Sequence, residues 1–85
     1  MPANYRQAFK EFVEQKRVVV QSNIEESGPE HQRVYHFTWF IKQTPYDTMW
    51  TTVPGELATS KKQAEESASE KALKILEVWY RRAYV

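Results

Sequence analysis

The chain has no cysteine, only two glycines in 85 residues, and no long apolar run. The absence of cysteine excludes a disulfide framework and thiolate metal sites, and it suits a reducing intracellular compartment, nuclear or cytoplasmic. So few glycines, beside four prolines, exclude low-complexity linker. No stretch is long enough to span a bilayer, and the amino terminus lacks the apolar run of a secretory signal, so no membrane partner is expected. An excess of one charge is missing too: twelve basic residues stand against eleven acidic ones, a net of +1. Nucleic-acid-binding domains usually carry a basic footprint, so any basic surface here has to be local.

What is present suffices for a fold. Hydrophobic residues make up 41% of the chain and aromatics 14%, which argues against disorder. Eighty-five residues support one modest core, hence a single domain over residues 1–85. Tyr5, Phe9, Phe12 and Val13 fall on one stripe of a helix over Asn4 to Lys16, with Gln7, Lys10, Glu11 and Glu14 on the solvated side. Val18 to Glu26 is rich in β-branched residues and predicts a strand, broken at Ser27-Gly28-Pro29. From Val34 to Lys42 the chain alternates. Tyr35, Phe37, Trp39 and Ile41 point to one face, and His36, Thr38, Phe40 and Lys42 to the other. Thr44-Pro45-Tyr46-Asp47 is a turn, Thr48 to Val53 a third strand, and Pro54-Gly55 its end.

The last third is helical. Ser60 followed by Gln63 has the spacing of a capping box, and Ala64, Ala68, Ala72, Ile75, Leu76 and Trp79 form a stripe at helical spacing. The expected fold is α+β in the order α-β-β-β-α: a three-stranded antiparallel sheet with two helices packed on one face. Its core covers about residues 5–76, the last helix extends to about residue 80, and Arg81 to Val85 is expected to fray.

One local rule is broken. Lys61 and Lys62 stand in the first turn of the last helix, where the macrodipole disfavours cations by roughly 0.3–1 kcal/mol each. They are either solvated or held there for an anion, since free N–H groups beside two ammonium groups suit phosphate oxygens. Glu65 and Glu66 follow at i, i+4 and are placed to pair with them.

The element order, the tetrapeptide Gly28-Pro29-Glu30-His31 and the run Ser60-Lys61-Lys62-Gln63-Ala64 together resemble the double-stranded RNA-binding domain family. That family has a Gly-Pro-x-His loop between its first two strands and a second helix opening Ser-Lys-Lys-x-Ala, continued by small residues and an Ala-Leu pair. Here the continuation is Ala68 and Ala72-Leu73, and Tyr35 stands where the family places an aromatic. The resemblance implies binding of double-stranded RNA by shape, largely independent of sequence. Such domains contact 2′-hydroxyls in two minor grooves and phosphates across the intervening major groove, over about 16 base pairs. By the resemblance, Glu11 and Gln7 enter one minor groove. His31 enters the next from a loop shaped by Gly28 and Pro29, and Lys61 and Lys62 hold phosphate. Where the family places a third basic residue this chain has Glu65, which implies weakened affinity and makes Glu65→Lys an affinity-raising substitution.

The alternative is a protein-interaction or dimerisation module on the same fold. The low net charge favours it, as would Phe40 and Trp50 on the outer sheet face, or the run Val78-Trp79-Tyr80. The bland reading of that run puts Trp79 in the core and Tyr80 on the surface, and His36 too reads as surface. A single-strand binder stacking bases on sheet aromatics would need a fourth strand and a glycine–aromatic signature that the chain lacks. No nucleophile–base pair, carboxylate constellation or phosphate-cradling loop can be assembled, so the expectation is no catalysis, with an accessory role in a larger RNA-processing enzyme left open. Two histidines without a third ligand make no metal site, and no cofactor is implied.

Overall fold

A computed structural model describes residues 4–82. Helix α1 spans Tyr5–Lys16, followed by strand β1 at Val19–Ser27, a single 3₁₀ turn at Glu30–Gln32, and strand β2 at Val34–Lys42. Strand β3 covers Thr51–Pro54 and helix α2 covers Lys61–Arg82. The strands form one antiparallel sheet in the order β1-β2-β3, so the α-β-β-β-α architecture stands as expected.

Helix α1 begins at Asn4, whose side chain accepts from the Gln7 N–H, and ends at Arg17 in the left-handed region with φ 56°. The N–H groups of Arg17 and Val18 both close on the Val13 carbonyl. That capping use of Val18 is why β1 begins one residue later than expected. The far end of the strand runs on through Ser27 until Gly28 turns it, at φ 90°.

The alternation along β2 places Phe37, Trp39 and Ile41 in the core with Phe9, Val53, Ala64, Ala68, Ala72 and Leu76. Phe9 packs at 4.6 Å and Phe37 at 5.0 Å from the Trp39 ring. The Trp39 indole N–H donates to the buried Ser69 hydroxyl at 3.0 Å, which satisfies the one polar atom that so large an apolar ring carries inward. The alanine stripe lets α2 lie close to the sheet. Gly55 is required there, because a Cβ would stand 2.7 Å from the Ala68 backbone nitrogen. Trp79 packs half-buried against this core. Tyr80, expected at the surface, is instead half-buried, its ring 5.4 Å from Phe12 and 5.8 Å from the Lys16 ammonium.

Tyr35 exchanges both backbone bonds with Ala58, and the Phe37 carbonyl accepts from the Gly55 N–H. The odd-numbered residues of β2 therefore turn their backbone groups to β3, and the even-numbered ones turn theirs to β1. By the same parity Pro54 lies at the open edge of β3, where its missing N–H costs no ladder bond. This explains a correction: β3 runs Thr51–Pro54 rather than Thr48–Val53, with Pro54 inside the strand. Residues 48–50 belong instead to the loop between β2 and β3, whose start is tied by Asp47. Its carboxylate accepts from the N–H groups of Gln43 and Thr44, and its carbonyl accepts from Lys42 Nζ. The Lys42 ammonium also sits 4.4 Å from the Trp50 ring centre.

On the outer face, His36 is half-buried rather than free at the surface, its Nε2 3.0 Å from the Gly55 carbonyl. Thr38 is buried there as well. Of the tail expected to fray, Arg81 and Arg82 continue α2, and residues 83–85 lie outside the described residues.

Candidate nucleic-acid interface

Gln7 and Glu11 lie one helical turn apart on the exposed side of α1, and the Gln7 amide donates to the Glu11 carboxylate at 3.1 Å. Each keeps hydrogen-bonding capacity beyond that bond: the amide a carbonyl and a second N–H, the carboxylate a second oxygen. Such a pair suits 2′-hydroxyls, which both donate and accept.

Gly28, Pro29 and His31 are all exposed in the β1–β2 connection. The turn is tight. A Cβ on Gly28 would meet the Gln32 carbonyl oxygen at 2.7 Å, and the positive φ there already favours glycine. His31 stands in the middle of the 3₁₀ turn, which closes with the Gln32 N–H on the Pro29 carbonyl at 2.9 Å. At the base of the loop Arg33 pairs with Glu26 at 3.1 Å. The sequence pattern located this loop but not its 3₁₀ turn, for which a three-residue segment has no periodicity to read.

Lys61 and Lys62 are exposed at the start of α2, as expected. Ser60 caps the helix, its hydroxyl accepting from the Gln63 N–H at 3.1 Å. Only half of the expected capping box forms, because the Gln63 side chain accepts from the Thr59 hydroxyl instead. The expected pairing of Lys61 with Glu65 and Lys62 with Glu66 is overturned. Among the described residues neither lysine has a carboxylate partner, and both glutamates turn toward α1. The Glu66 carboxylate accepts from the N–H groups of Tyr5 and Arg6, each at 2.9 Å. The Arg6 guanidinium lies 3.8 Å from both Glu65 and Glu66. Sequence spacing had no means of finding Arg6 and Glu66, since partners 60 residues apart leave no local signal.

These contacts hold α1 against the first turns of α2. Glu66 ties the amino end of α1 to its second turn, and Lys61 lines a shallow cleft with Ile24, Glu25, Glu26 and Tyr35, where β1 leads into the Gly28 loop. The chain superposes on the second double-stranded RNA-binding domain of DRB4, solved in solution, with a TM-score of 0.61 and 22% identity, covering 88% of this chain and 97% of that one. The fold is that of a double-stranded RNA-binding domain. The first such domain of HYL1 matches with a TM-score of 0.62 at 22% identity, over 79% of this chain and 87% of that one. No protein-family model and no curated protein sequence matches the chain. The described residues contain no group of three or more His, Cys, Asp or Glu side chains that could hold a metal ion. No described helix is long and apolar enough to cross a membrane.

Proposed function

We propose that the chain binds double-stranded RNA as one domain, reading duplex shape rather than sequence. Gln7 and Glu11 meet 2′-hydroxyls of one minor groove, and His31 reaches the next from the turn held by Gly28 and Pro29. Lys61 and Lys62 hold phosphates of the groove between. The observation that supports this most is the open amino end of α2. Two exposed lysines stand there over N–H groups of the first turn, with the neighbouring glutamates drawn away to α1. Phosphate is the anion such an end accepts.

Contacts to 2′-hydroxyls distinguish RNA from DNA, and phosphate contacts do not. Gel shifts with matched RNA and DNA duplexes of about 20 base pairs, enough to span the site, at one stated salt concentration should favour RNA. Equal binding to both duplexes, or none to RNA at low salt, would overturn the reading.

A further inference from the structure

The two edges of the sheet differ. Strand β3 is four residues long and carries Pro54, both of which blunt an edge against further pairing. Strand β1 is nine residues long and pairs with β2 through an unbroken register from Val19↔Lys42 to Ser27↔Val34. Its odd-numbered residues direct their backbone groups to β2. Val20, Ser22, Ile24 and Glu26 consequently direct their N–H and C=O groups outward, along an edge with no bulge or proline and no charge between Val19 and Ile24. Ile24 lies on the helix-covered side of the sheet, yet it is 40% exposed. Over this half of the strand only the start of α2 comes near, Lys61 lining the cleft beside Ile24, and residues 21–27 are all exposed.

We propose that the β1 edge is a self-association surface, at which two copies of this chain pair antiparallel about a two-fold axis at Ser22 and form one six-stranded sheet. The side chains select that register. Ser22 meets the partner's Ser22, Val20 meets the partner's Ile24, and by symmetry Ile24 meets the partner's Val20. On the outer face Gln21 stands opposite the partner's Asn23, amide to amide. Glu25 and Glu26 of each copy fall beside the partner's Val19 and Val18, next to its Lys16-Arg17 end, so the acidic pairs are kept apart and each approaches opposite charge. A slide of two residues in one direction puts Val20 against Glu26. A slide in the other puts Ile24 against Val18, whose N–H is already bonded to Val13. The outward groups of Val20, Ser22 and Ile24 form about six backbone hydrogen bonds across the interface. Even-numbered side chains of both copies share one face, so the two helical layers lie on the same side, and each Ile24 gains an apolar neighbour.

Pairing along one edge buries less than the roughly 1,200 Å² of a stable interface, so the dimer is of the weak, transient class. Sedimentation or light scattering of the full chain without RNA should show a mass rising from 10.1 kDa toward twice that value as concentration increases into the hundreds of micromolar. Ser22→Pro removes only an outward N–H, so the sheet tolerates it and the rise should disappear. The chain has no cysteine, so Ser22→Cys introduces a single thiol. Its distance to the partner's equivalent, about 5.5 Å between Cα atoms, suits a disulfide. Under mild oxidation it should cross-link at least tenfold faster than Gln21→Cys, whose thiol faces the partner's Asn23. A mass that stays flat, association that continues beyond a dimer, or equal cross-linking of the two cysteine variants would each overturn the proposal. If Ser22→Pro does not fold, the cysteine comparison decides. None of these measurements uses RNA, so their outcome is separate from that of the duplex-binding reading.

Discussion

The two helices of this chain begin in opposite ways. At the start of α1 a carboxylate from within the protein, Glu66, occupies the anion position and accepts from two N–H groups at 2.9 Å. At the start of α2 no acidic residue stands in the first turn, and a serine cap is followed by two exposed lysines. The same physics governs both ends, since unpaired N–H groups and the macrodipole attract negative charge. One end is satisfied internally and so fixes how α1 sits against α2. The other has a serine cap and no internal carboxylate, which suits it to the external anion proposed above. Glu65 and Glu66 link the two: facing α1, they stabilise its start and cease to neutralise the lysines.

Removing the internal anion should have the largest effect. Glu66→Ala breaks two charge-assisted hydrogen bonds at a half-buried site, and we expect a loss of about 2 kcal/mol, seen as a fall in Tm of about 10 °C. An unchanged melting curve would mean that α1 needs no anion and that the contrast between the helix ends is false. Next in size is the loss of the external partner's contacts. The double variant Lys61→Ala, Lys62→Ala should lower duplex RNA affinity by about tenfold or more and reduce the slope of log K against log salt by about 2, with Tm unchanged or slightly higher. An unaltered slope would place phosphate elsewhere.

Ser60→Ala should cost about 1 kcal/mol of stability, measured by urea titration, and should affect α2 without disturbing the Glu66 contacts to α1. The smallest effect is expected at Glu65. Sequence alone suggested that Glu65→Lys would tighten RNA binding and steepen its salt dependence. With Arg6 at 3.8 Å from that carboxylate, the new lysine would face a cation already in place. Affinity should therefore change by less than about threefold, although the salt slope steepens by up to about 1. A tenfold gain would show that Glu65, and not Arg6, dominates the field at the lysines.

Much of the fold was legible because its signals are local. The alternation of Tyr35, Phe37, Trp39 and Ile41 and the 3.6-residue stripe from Ala64 to Trp79 each follow from one element's own geometry. The errors fell where a distant group intervened. Strand β3 was placed too early because its pairing with β2 begins only at Thr51, opposite Ile41. Tyr80 was expected at the surface, but α1 supplies Phe12 and Lys16 to cover it. The candidate site divides in the same way. Gln7, Glu11, Gly28, Pro29, His31, Lys61 and Lys62 are all exposed, whereas the partners of Glu65 and Glu66 were assigned to the wrong helix.

By itself the sequence determined the order of helices and strands, which faces are apolar, and that two lysines stand at a helix start against the dipole. Periodicity, capping and charge act over a few residues, so all of these can be read along the chain. Only the tertiary structure decided where the carboxylates next to those lysines point. A glutamate can reach a lysine four residues along its own helix or two N–H groups on another helix. The second is favoured here because two charge-assisted hydrogen bonds at a half-buried helix end outweigh one solvated ion pair.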